Sequence, residues 1–277
     1  VLSKTSSSSS KLLHGGIRYL EQGHIGLVRE ALIDRYWWLT HAPQFCKRIN
    51  MVIPVYKEST RSPFILYCGA KLYGYLSGKY NLGKTKWLSK NQLLDLCPDI
   101  NTHNLKSGIS FYDAQMDEAG LGNWVKEKAT EAGVKIYEDT KIERFNDQGE
   151  IFLNSSKKYD LIINASGPWA ELLNKKNKIE SSFSLKLIKG SHLIIDKNVS
   201  NYFLFQEVAG NRIIFIMPYK NKTLIGTTEI EHSLDDEIKC SENEIEYLTG
   251  IYNQYFKEEL KHENILSTFS GVRPNYK

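Results

Sequence analysis

What this chain lacks narrows its function first. Its four cysteines, Cys46, Cys68, Cys97 and Cys240, have no paired spacing. That excludes a cysteine-based zinc site and a disulfide framework, and it points to a reduced, cytoplasmic-side protein. The longest uncharged apolar run, residues 63–70, is far too short to cross a bilayer, and no basic-then-apolar leader opens the chain. Charge of one sign is scarce too: 36 Lys and Arg against 32 Asp and Glu leave a net +4. This permits an anionic ligand and gives no nucleic-acid footprint. The 7 histidines are scattered; without ligand spacing no metal is expected, and no HExxH or nucleophile–base triad appears. There is no initiator Met, and residues 270–274 read as the middle of a motif, so the expectation is a piece of a longer protein.

What is present is ordinary globular material: 277 residues, 41% hydrophobic and 25% charged, enough for one large or two ordinary domains with a real core. Leu27, Val28, Ala31, Leu32, Arg35, Trp38 and Leu39 recur at the spacing of one helical face, and Pro43 ends the run. Residues 44–110 are aromatic-rich and hard to parse, apart from a short helix opening at Ser89 and stopping at Pro98. From residue 109 the pattern becomes α/β. A strand over 109–112 leads into a helix with Leu121, Trp124, Val125, Ala129 and Ala132 on one face and Gly133 at its end. Strands are then expected at 134–137, 141–145 and 150–153. Residues 159–165, apolar and bounded by turns, read as a strand buried on both faces. Strands at 185–195, 202–206, 212–217, 223–231 and 265–270 and a helix at 242–260 suggest a second, antiparallel sheet.

Three segments carry candidate chemistry. Residues 78–85, with Gly78, Gly83, Lys84 and Thr85, fit the phosphate-cradling P-loop expression, but the expression requires a buried strand before the first glycine, and Gly74 interrupts the run that precedes it. Residues 6–10 are five serines, read either as a linker or as a hydroxyl-rich loop around an anion. They lead through His14, Gly15 and Gly16 to Arg18 and Tyr19 at a helix start, where free N–H groups and a guanidinium fork suit a phosphate or an electron-rich ring. His192 breaks an apolar strand, where a lone histidine is more often a structural group than a catalyst, and Arg273 ends a strand after a glycine, where the plain reading is a surface ion pair.

Taken together, eight ordered motifs resemble the flavin-dependent glycerol-3-phosphate dehydrogenases and the related α-glycerophosphate oxidases. They lie at residues 5–21, 27–32, 41–43, 112–114, 164–169, 187–192, 225–229 and 270–274. The resemblance implies an α/β FAD-binding fold of the glutathione-reductase/D-amino-acid-oxidase type with an α+β substrate part built on a mainly antiparallel sheet. Such proteins open with a strand–GxGxxG–helix unit that holds the FAD pyrophosphate. That sequence is absent here, so weak flavin binding and little activity of this chain alone are expected. Residues 1–50 and 111–174 are assigned to the FAD-binding part, and 51–110 and 175–277 to the substrate part.

By the same resemblance, FAD would take a hydride from C2 of sn-glycerol 3-phosphate, giving dihydroxyacetone phosphate, with quinone or oxygen as the next acceptor. Thr5, Ser6, Ser7, Ser9, Ser10, Lys11 and Leu12 would line the cofactor, with His14, Gly15 and Gly16 beside its ring and Ala165, Ser166 and Gly167 near its diphosphate or ribityl chain. Arg18, Tyr19 and Arg273 would hold the substrate. His192 would accept the C2 hydroxyl proton while Arg273 stabilises the alkoxide. Homodimerisation, and membrane contact on the inner face through regions outside this chain, stay open. The alternatives are a nucleotide-binding or non-enzymatic domain built on residues 78–85, and an amine or amino-acid oxidase of the same architecture.

Overall fold

A computed structural model describes residues 2–153, 156–207 and 212–276. The helices are α1 (Ile25–His41), α2 (Pro63–Leu76), α3 (Lys90–Leu96), α4 (Glu118–Glu131), α5 (Ala170–Lys176) and α6 (Glu242–Tyr255). The strands are β1 (Leu12–Leu13), β2 (Cys46–Tyr56), β3 (Lys86–Ser89), β4 (Leu105–Met116), β5 (Arg144–Phe145), β6 (Glu150–Phe152) and β7 (Ser156–Lys158), followed by β8 (Leu185–Ile195), β9 (Tyr202–Gln206), β10 (Ile213–Tyr219), β11 (Lys222–Gly226), β12 (Ile230–Glu231) and β13 (Ile265–Tyr276). Ten strands form one sheet in the order β1-β4-β2-β9-β10-β11-β8-β12, with β13 also on β8 and β3 on β4; β5, β6 and β7 form a small separate sheet.

Alternation along β2 decides the layering. Ile49, Met51 and Ile53 point to one face of the large sheet, where Val28 and Leu32 of α1 and Ala70 and Tyr73 of α2 cover them. Val52 and Tyr56 point to the other face and pack with Leu248, Ile251, Tyr252 and Tyr255 of α6. The sheet is therefore buried on both sides, and all its pairings are antiparallel apart from the short parallel contact of β2 with β9.

Helix boundaries follow local chemistry. Ala42 closes α1 onto Trp38 just before Pro43, and Ser89 with Gln92 forms a capping box at α3. Three strands or α-helices lie wholly in the stretch that sequence patterning left unparsed, namely β2, α2 and β3. The expected strand at 109–112 is the middle of β4, the expected strand at 265–270 extends to Tyr276, and α6 ends at Tyr255 rather than 260. Residues 223–231 divide into β11 and β12. The strands expected at 134–137 and 159–165 do not form. The second of these runs meets no partner strand among the described residues, and Leu161 and Ile163 are 74% and 78% exposed. An apolar run becomes a buried strand only where a neighbour accepts its backbone hydrogen bonds.

Residues 78–85 follow helix α2 rather than a strand and open as a 3-10 turn, Gly78–Tyr80, so the geometry a P-loop requires is missing. The boundaries expected at 50/51 and 110/111 fall inside β2 and β4 of one continuous sheet.

Candidate active site

The serine run is held by local and long-range hydrogen bonds rather than by regular structure. Ser7 Oγ donates to the Lys4 carbonyl (2.9 Å) and Thr5 Oγ1 to the Val272 carbonyl of β13 (2.9 Å). Lys11 adopts a positive φ of 59°. Its ammonium turns inward to the buried Glu118, to the Ser7 carbonyl (2.9 Å) and over the Phe269 ring. β1 then joins the edge of β4, and the chain bends at His14-Gly15-Gly16. Gly16 is left-handed at φ 68°, and a Cβ there would lie 2.6 Å from the Tyr19 ring, so the bend requires glycine. The following 3-10 turn, Ile17–Leu20, carries Arg18 and Tyr19.

Opposite this bend, β8 presents His192 between two neighbours. It pairs with Gly226 of β11 and Phe269 of β13, and its ring stacks on Phe269 at 4.7 Å. A Cβ on Gly226 would sit 2.2 Å from the imidazole, so glycine is what admits the ring into the sheet. Ser10 Oγ lies 2.8 Å from His192 Nε2, and Nδ1 is buried without a partner among the described residues. Arg273 on β13 reaches Glu229 (3.2 Å), which also approaches Arg212 (3.8 Å).

These groups share one cavity of about 520 Å³. Thr5, Ser9, Ser10, Leu12, His14, Gly16, Arg18, Tyr19, His192 and Arg273 all line it, against an apolar wall that includes Met51, Phe111, Leu204 and Phe215. Gly15 lies buried behind the bend. Ser7 and Lys11 line a neighbouring cavity of about 570 Å³ with Glu118 and Tyr219. Ser6, Ala165, Ser166 and Gly167 line neither; the last opens the turn Gly167–Trp169, next to β13.

The model of the FAD dependent oxidoreductase family matches residues 1–277. The chain belongs to that family. It is 34% identical to D-erythritol 1-phosphate dehydrogenase of Brucella abortus and 30% identical to aerobic glycerol-3-phosphate dehydrogenase of Escherichia coli, in each case over 98% of this chain and 56% of the relative. The chain thus spans about half the length of the curated relatives it matches. Among solved structures, the FAD complex of glycerol-3-phosphate dehydrogenase from Bacillus halodurans superposes with a TM-score of 0.76 at 24% identity, covering 100% of this chain and 50% of that one. Glycine oxidase from Geobacillus kaustophilus, at 17% identity and TM-score 0.68, shares the fold, covering 99% of this chain and 74% of its own. The architecture is therefore the FAD-binding one of D-amino-acid-oxidase type.

Within this family member the site's electrostatics are set by burial. Desolvation, with Lys11 and Arg273 nearby, pushes the His192 imidazole down to about 3. Asp113, at the cavity floor, is raised by burial and opposed first by Arg35 and then by His14. The Arg18 side chain is exposed and makes no hydrogen bond or ion pair among the described residues, with Glu21 as a neighbouring charge, so its donors can turn to an anion.

Sequence reasoning assigned no role to Arg212, Glu229, Asp113 or Tyr73. Asp113 and Glu229 sit inside two of the eight motifs, which was a signal; Arg212 and Tyr73 carry none, because only the fold brings them to the cavity.

Proposed function

We propose that this chain forms the substrate-facing part of a flavin-dependent polyol-phosphate dehydrogenase that oxidises sn-glycerol 3-phosphate at C2 to dihydroxyacetone phosphate. The convergence of Arg18, Tyr19, Arg273, His14 and His192 on one cavity carries the reading. Its residues fit FAD: the wall is apolar, other lining residues carry hydroxyls, and the buried Nδ1 of His192 lacks a partner among the described residues. Thr5, Ser9, Ser10, Leu12, His14 and Gly16 would hold the cofactor, with Ser6, Ser7, Lys11 and Gly15 supporting that loop and Ala165, Ser166 and Gly167 meeting the cofactor chain. When bound, FAD supplies the acceptor for the hydride that leaves C2.

The residues of this chain do the rest. Arg18 and Arg273 hold the substrate phosphate, Arg18 because it is uncommitted and Arg273 because Glu229 fixes its direction. Tyr19 adds a hydroxyl contact. His192 Nε2, through Ser10 Oγ, takes the C2 hydroxyl proton. Burial holds its ring far below the usual imidazole range, so it is neutral but weakly basic at physiological pH and takes the proton only in concert with the departing hydride. Electrons then pass to a quinone or to oxygen; peripheral contact with the inner face of the membrane and homodimerisation stay open. Among the described residues no helix is long and apolar enough to cross a membrane.

The similarity to a D-erythritol 1-phosphate dehydrogenase favours a second substrate, a phosphorylated polyol one carbon longer. Steady-state rates of the full-length, FAD-loaded protein with both phosphates and with glycerol test these readings. Arg18→Ala and Arg273→Ala should each lower kcat/KM for the phosphate esters about 10- to 100-fold, the loss of one charge-assisted contact, and Arg18→Ala should leave glycerol unaffected. Equal rates on phosphorylated and unphosphorylated polyols in the unaltered protein would end the proposal.

A further inference from the structure

Behind the His14-Gly15-Gly16 bend lies a buried polar chain that the substrate and cofactor assignments do not use. Asp113 of β4 is 4% exposed and accepts from Arg35 of α1 at 2.8 Å. The Tyr73 hydroxyl of α2 donates to the same carboxylate at 3.0 and 3.1 Å. The Tyr73 oxygen in turn accepts the Gly15 backbone N–H at 2.6 Å. Three separate elements thus meet at one amide, in the core cluster beneath the cavity.

The chain has a direction. A hydroxyl that donates to a charged carboxylate becomes a better acceptor, so Asp113 strengthens the bond that Tyr73 makes to Gly15. Gly15 is close-packed as well, since a Cβ there would meet Leu32 at 2.5 Å and the Tyr73 oxygen at 2.7 Å. One residue further on, the Gly16 amide donates to His14 Nδ1 at 3.0 Å. Nδ1 is thus an acceptor in this bend, which leaves Nε2 as the ring's N–H donor toward the cavity that His14 lines. Two consecutive amides fix this bend, one inward to Tyr73 and one back to the imidazole. Moving Gly15 moves His14.

We propose that Asp113, acting through the Tyr73 hydroxyl, is a positioning residue for the reaction at this cavity. The carboxylate holds the hydroxyl, the hydroxyl holds the Gly15 amide, and the amide sets the His14 imidazole against bound substrate and flavin. The proposal rests on the function argued above. Its structural half, the control of the bend, is measurable without that function.

Tyr73→Phe in the full-length, FAD-loaded protein deletes only the hydroxyl, and the ring keeps its edge contact with Phe111 (5.8 Å). Amide exchange at Gly15 should quicken at least tenfold, and kcat for sn-glycerol 3-phosphate should fall at least tenfold with KM changed less than twofold. Asp113→Asn, which still accepts from the hydroxyl, should fall in between and serves if Tyr73→Phe does not fold. Val28→Ala, in the same core cluster, is the control: it lowers the melting temperature and spares kcat. Normal kcat in Tyr73→Phe overturns the proposal, and so does a loss matched by Val28→Ala at equal destabilisation. If the unaltered protein turns over no polyol phosphate, the functional reading fails by itself. Gly15 exchange and the flavin absorption band of Tyr73→Phe then decide the positioning role, which unchanged values reject.

Discussion

At the scale of single residues, His192 couples the site to stability. Its imidazole is 3% exposed and burial holds it near 3, against an ordinary 6.5. Between these values the unfolded chain binds a proton that the folded chain refuses, so stability rises with pH through that window and is lost as pH falls below 6.5. Glu244 works lower down. Burial raises its carboxyl, but the Ser241 amide, Thr228, Lys189 and Ser191 outweigh burial and bring it to about 2 from 4.5. Its contribution is complete above 4.5 and fades only below. The two windows separate the residues: melting temperatures between pH 6.5 and 5 should fall in the unaltered protein and stay flatter in His192→Asn. Parallel curves for both proteins would mean that the imidazole titrates freely.

At the scale of elements, α6 shows how one buried acid holds a helix to the sheet. Glu244 closes the capping box of α6 with Ser241, accepts from Ser191 of β8 (2.7 Å) and Thr228 (2.6 Å), and pairs with Lys189 (2.9 Å). Glu244→Ala leaves Lys189 without its carboxylate and should cost about 3–5 kcal/mol, read by urea unfolding; a cost below about 1 kcal/mol would show that the helix is held by apolar packing alone. Sequence patterning placed only the start of this helix. Ser241 and Glu244 have capping-box spacing, but nothing in a linear reading links them to Ser191. The same limit hid β2 and α2. β2 contains Pro54 and is covered on both faces, so it shows no apolar–polar alternation. In α2 the exposed Phe64, Ile65 and Tyr75 blur the helical period. Short motifs were more legible: residues 5–19 include a bend that needs Gly16, and His192 and Arg273 are polar residues within the continuous strands β8 and β13. Arg212 and Tyr73 were not, since their roles exist only across the sheet.

At the scale of the whole molecule, apolar surface is unevenly distributed. The large sheet is covered by helices on both faces, yet Val134, Tyr137, Leu161 and Ile163 stand 53%, 59%, 74% and 78% exposed. They lie in the segment where sequence patterning expects sheet strands. A run such as Leu161-Ile162-Ile163 left in water costs about 25 cal/mol for each Å² of apolar area it fails to bury, and contiguous patches of this kind drive association. The 277-residue chain expressed by itself should therefore bind a hydrophobic dye and self-associate as concentration rises. Leu161→Lys with Ile163→Lys should suppress both while leaving the melting temperature within a few degrees, because neither side chain contributes to the core of the large sheet. Dye fluorescence and light scattering at matched concentrations read the outcome. An unaltered chain that stays monomeric and dark would place these side chains under cover; a doubly substituted chain that unfolds would make them part of the core.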